Sequence, residues 1–168
     1  SDDGSGGVET YFFLDGSGNS GNNPRTVFPD NSSIVVGTGN DLFIKHTGTN
    51  SEIFNFTGDL IIGNHGNDKD IIFQCDDGSG DVAEYFRLDG GATSSGALHT
   101  IWPDNSRVVF GSGSDAYIRH SGSDLLISNA TGAMGFYQQA DDGDMKFFCD
   151  DGSGGNTEYF RLDGGTET

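Results

Sequence analysis

The chain has 168 residues and a formal net charge of −18, with 8 Lys and Arg against 26 Asp and Glu. Such a surface repels phosphate backbones and anionic bilayers, which argues against nucleic acid and membrane as partners. No apolar run approaches the roughly 20 residues of a membrane-spanning helix. Hydrophobic residues make up only 33%, yet 13 Phe and 5 Tyr argue against disorder, and 28 Gly with 3 Pro lack the every-third-residue period of collagen.

In chain order the first motif is Asp2-Asp3-Gly4-Ser5-Gly6, which returns at Asp76-Asp77-Gly78-Ser79-Gly80 and at Asp150-Asp151-Gly152-Ser153-Gly154. Tyr11-Phe12 returns as Tyr85-Phe86 and Tyr159-Phe160, and Phe28-Pro29-Asp30-Asn31-Ser32 returns as Trp102-Pro103-Asp104-Asn105-Ser106. Residues 37–46 return as 111–120, so the offset is 74 residues throughout, and 31 of 74 positions are identical between 1–74 and 75–148. A fixed period of this kind marks a repeat array. It divides the chain into unit 1 at 1–74, unit 2 at 75–148 and the start of a third unit at 149–168. Ser1 stands where Cys75 and Cys149 stand, and Thr168 follows the third Asp-Gly-Gly. An excerpt of a longer polypeptide is therefore expected.

Through the second unit, turn signals recur about every ten residues. They are 76–78, 89–91, 103–105, 111–113, 120–122, 129–132 and 141–144. Between them the alternating runs predict strands at 85–88, 99–102, 107–110, 116–119, 125–128, 134–137 and 145–149. No segment has helical periodicity. Ile71, Phe73 and Cys75 align with Met145, Phe147 and Cys149, all apolar, whereas the intervening Ile72 and Gln74 become Lys146 and Phe148. One constant face at period two predicts a strand buried on one side. The expected core is Phe12, Leu14, Ile44, Ile53 and Phe73 with their partners 74 residues on. Cys75 and Cys149 are expected as buried free thiols. The fold class that follows is all-β, an elongated array of short strands. With few apolar residues per strand, a trimeric β-prism or triple β-helix is the leading architecture, and a single-chain β-solenoid is the alternative.

The Asp-Asp-Gly-Ser-Gly and Glu-Tyr-Phe-Arg-Leu-Asp-Gly strings at 76–90 and 150–164, Pro-Asp-Asn-Ser at 29–32 and 103–106, and the segment 37–46 resemble repeats of tail-fibre and related virion structural proteins of marine bacteriophages, such as those infecting cyanobacteria. The resemblance covers essentially the whole chain. It implies a trimeric virion fibre, extracellular, that holds a host-recognition tip away from the particle. It implies self-association, and contact with a host-surface glycan or protein through parts outside this chain. It brings no catalytic residues.

Each candidate site has a scaffold role as its alternative. Asp76-Asp77 and the Asp-x-Asp pairs Asp68, Asp70 and Asp142, Asp144 place carboxylates together in loops, as Ca²⁺ ligation requires. Asp and Gly are also simply turn formers, and no complete Ca²⁺ motif is present. No other cofactor is expected. His46 and His120 share one repeat position; three such imidazoles around an axis would suit a transition metal, and hydrogen bonding at a strand end is the plainer role. Tyr85, Tyr117 and Tyr159, with Tyr11 and Phe43, are candidate platforms for stacking on glycans, or else cross-strand packing residues. Asn31, Asn55 and Asn129 head Asn-x-Ser/Thr sequons and read as turn residues.

Enzyme signatures are missing: there is no P-loop, no G-x-S-x-G and no H-E-x-x-H. Paired carboxylates of the glycosidase kind recur with every unit, whereas a catalytic site usually occurs once, so a polysaccharide-cleaving tailspike is a minor alternative. The expected function is a non-enzymatic structural shaft. A glycan-binding module and a bacterial surface adhesin or filament repeat are the alternatives.

Overall fold

The computed structural model describes residues 2, 4–16, 24–91 and 96–165. Among them lie thirteen strands and no helix. The chain forms two compact units, Ser1–Asn64 and His65–Thr168.

The first unit holds β1 (Phe13–Asp15) paired with β2 (Arg25–Val27), and the meander β3 (Ser33–Val36), β4 (Leu42–His46), β5 (Ser51–Asn55). In the second lie the sheets β6 (Ile71–Asp76), β7 (Val82–Asp89), β8 (His99–Ile101) and β9 (Val108–Phe110), β10 (Ala116–His120), β11 (Leu125–Asn129). The hairpin β12 (Met145–Asp150), β13 (Asn156–Leu162) completes it. Each strand lies 74 residues from its counterpart: β3-β4-β5 matches β9-β10-β11, and β6-β7 matches β12-β13. The period fixes a length and not a starting point: the 74/75 boundary falls inside β6, and the compact units divide at 64/65.

The turns form where the chemistry allows. Ser32 N–H donates to the Pro29 carbonyl (2.9 Å), and Asn31 sits at φ 64°. Ser106, Pro103 and Asn105 (φ 67°) repeat this geometry. Asn tolerates the left-handed region better than other non-Gly residues. At Gly37 and Gly111 (φ 93° and 84°) a Cβ would collide with the carboxylates of Asp41 and Asp115, so glycine is required twice over.

All observed pairings are antiparallel and join neighbours in the chain. Stacked parallel coils of a solenoid are not what these strands form. The registers set Ile34, Ile44 and Ile53 side by side, and likewise Val108, Ile118 and Ile127. Phe73, Phe86 and Trp102 form an aromatic ladder with centroids 4.5 and 5.7 Å apart. Phe147–Phe160 at 4.3 Å and Phe12–Phe28 at 5.9 Å are its counterparts.

The expected buried core is not formed by one chain. No described side chain is buried. Phe12, Leu14, Ile44, Ile53, Phe73, Leu88, Ile118, Ile127 and Phe147 are all exposed, and Phe86 is half-buried. Cys75 and Cys149 are free, as expected, but exposed rather than buried. The alternation identified a shared face, but among the described residues no side chain on it is buried.

A second difference concerns residues 134–137. Their pattern predicts a strand, yet residues 133–139 carry no secondary structure, and neither do their counterparts 59–65. Among the described residues no strand pairs with them.

Candidate functional site

The acidic loops are hydrogen-bonded turns. Asp77 Oδ1 accepts from Ser79 N–H (2.7 Å), Ser79 Oγ (2.7 Å) and Asp81 N–H (3.3 Å), and Asp76 accepts from Gly78 N–H (3.0 Å). Asp151 repeats the first arrangement with Ser153 and Gly155. The Ser79 hydroxyl and then its N–H hold the Asp77 carboxyl below its ordinary value, and Ser153 does the same to Asp151.

The second carboxylate of each Asp-x-Asp pair faces cations supplied by the chain itself. Asp70 accepts from Gly90 N–H (3.0 Å) and lies 3.4 Å from Arg87, which also reaches Glu84 (2.8 Å) and Asp89 (3.3 Å). Bonds to Glu84 and then Asp89 raise the Arg87 guanidinium. Asp144 accepts from Gly164 N–H (3.2 Å) and pairs with Lys146 and Arg161. The Gly164 N–H is the chief cause of its lowered carboxyl. Asp68 and Asp142 occupy left-handed turn positions at φ 54° and 55°. In the first unit Phe13 stands at the Arg87 position, and Arg25, opposite Asp15, supplies the cation at 3.8 Å. Among the described residues no group of three or more His, Cys, Asp or Glu is gathered as a metal site.

His46 and His120 end β4 and β10. The Pro-Asp-Asn-Ser turn docks there, since Asn31 N–H donates to the His46 carbonyl (2.7 Å) and Asn105 N–H to that of His120 (2.8 Å). This brings Asp30 Oδ1 within 3.0 Å of His46 Nδ1, and Asp104 Oδ1 within 2.8 Å of His120 Nδ1. The N–H of Gly48 or Gly122 also points at that nitrogen (3.0 and 3.2 Å). A protonated Nδ1 donates to the carboxylate; an unprotonated one accepts from the glycine. The ring is oriented in either state, which is the strand-end role.

Tyr85 and Tyr159 are bulge residues. The ladder runs Phe73↔Phe86 then Gln74↔Glu84, and Phe147↔Phe160 then Phe148↔Glu158, which leaves each Tyr without a partner. Tyr85 OH donates to the Asp76 carbonyl (2.9 Å), Tyr159 OH to that of Asp150 (3.1 Å) and Tyr11 OH to that of Asp2 (2.5 Å). Ser106 Oγ donates to the freed Tyr85 carbonyl (2.9 Å), which ties the two kinds of sheet together. Tyr117 lies under the Arg107 guanidinium, 4.5 Å from its ring centre, and Phe43 packs edge-on to Phe56 at 5.5 Å. These aromatics therefore serve the scaffold first. The bulge is invisible in sequence, because the alternation reads straight through Tyr85.

What remains free is apolar surface. A groove of about 660 Å³ lies along the first meander, lined by Val27, Phe28, Ile34, Ile44, His46 and Ile53 among others.

No family model, curated protein or solved structure matches this chain.

Asp77, Asp151, His46, His120, Tyr85 and Tyr159 are hydrogen-bonded in turns, strand ends and bulges, and exposed apolar rows recur at the period of the chain.

Proposed function

We propose that the chain is a shaft segment of a bacteriophage tail fibre, in which three copies pack about a common axis as a β-prism and space a host-recognition tip from the virion. The observation that carries this reading is that no described side chain is buried in a chain whose turns and ladders are otherwise well formed. Identical copies in register would set the row Ile34, Ile44, Ile53 against its own kind, and the 74-residue period repeats that contact along the shaft. The function is mechanical: rigidity from ladders and a shared apolar interior, and solubility from a net charge of −18.

The test is the mass of the chain in solution by light scattering, with and without a chelator. A mass near three times 17.7 kDa supports the shaft. A stable monomer overturns it and favours a self-contained glycan-binding module. A trimer that falls apart only in chelator gives the acidic turns a metal-binding role.

A further inference from the structure

We propose that residues 60–63 and 134–137 are the contact strands through which copies of this chain pair with one another. The proposal rests on the assembly reading above and names the part of the surface that performs it.

Both stretches lie in segments, 59–65 and 133–139, that run without a turn or bend. Among the described residues no hydrogen bond reaches residues 59–63 or 133–137. Their N–H and C=O groups are therefore open to a partner. Their side chains are largely apolar and all exposed, from Met134 at 45% to Ile61 at 85%. An unpaired row of backbone donors and acceptors flanked by apolar side chains is a template for another strand.

The course of each stretch is set locally, and twice. Asn55 Nδ2 donates to the carbonyls of Thr57 and Gly58, both at 2.9 Å. Asn129 Nδ2 donates to those of Thr131 (2.7 Å) and Gly132 (3.1 Å). Gly58 and Gly132 take φ 64° and 70°. The same side-chain clamp thus launches both stretches, which loose connecting loops would not require.

Charge and spacing point to a second copy as the partner. Copies of −18 each repel, and they approach most cheaply where charge is absent. Residues 60–67 and 125–140 contain no Asp, Glu, Lys or Arg. The two stretches also stand one 74-residue period apart. Another copy carries the same two stretches at the same spacing; an unrelated protein has no reason to share the period.

The test combines hydrogen exchange on the unaltered chain with Ile61→Asp and Phe136→Asp, each read by light scattering. Leu98→Asp is the control, 92% exposed and outside both stretches. Protected amides at 59–63 and 133–137 in the assembled protein are expected. So is a rise in dissociation constant of about a hundredfold for the two variants and none for the control. An assembly whose amides in these stretches exchange at free-chain rates overturns the contact strands and leaves the shaft reading standing. A monomer at every concentration overturns both. The exchange measurement needs no variant, so a variant that misfolds does not rescue the idea.

Discussion

Ser79 governs how Asp77 titrates, because its hydroxyl and N–H both point at the ionised carboxylate. The folded-state value lies below 3.8, so the turn is stabilised by ionisation above the ordinary carboxylate range and loses that support as pH falls through and below it. Carboxyl carbon shifts followed by NMR are expected to show Asp77 and Asp151 titrating below 3.8. Ser79→Ala should bring Asp77 back toward that value and leave Asp151 unmoved. At the same scale, Gly111→Ala forces a side chain into φ 84° and against Asp115. A loss of about 1 kcal/mol or more in chemical denaturation is expected.

At the scale of elements, the aromatic ladder distinguishes one sheet from the next. Phe86 touches rings on both sides, Phe73 and Trp102, whereas Phe160 stacks on Phe147 alone among the described residues. An aromatic pair adds about 0.5–1.5 kcal/mol beyond its buried area. Phe86→Ala should therefore weaken the β6-β7-β8 sheet more than Phe160→Ala weakens β12-β13. Hydrogen exchange of β7 and β13 amides measures the two effects separately. Equal losses would mean that the ladder does not hold the third strand.

For the whole molecule, charge and apolar surface oppose each other. Self-repulsion acts over about 30 Å at 0.01 M salt and about 8 Å at 0.15 M. Assembly through apolar rows should tighten as salt rises, and sedimentation at two ionic strengths reads this directly. Weakening with salt would indicate that ion pairs between copies hold the assembly instead. If the proposed assembly buries the rows, the thermal midpoint should also rise with protein concentration.

The sequence by itself determined the all-β class, the period and most strand positions. These rest on local chemistry: the backbone freedom of Gly and Asn at turns, and side-chain alternation along strands. It also determined which residues share a face, since alternation puts Ile71, Phe73 and Cys75 together. Only the tertiary structure decided that this face is not fully buried, that Cys75 is exposed, that Tyr85 is an unpaired bulge residue and that residues 134–137 have no partner strand among the described residues. The acidic pairs were legible as turns or as ligands; the structure placed Arg87 and Lys146 beside them. The reason is the same in each case. Alternation says which side chains point together, whereas burial and pairing depend on what another element brings to that side.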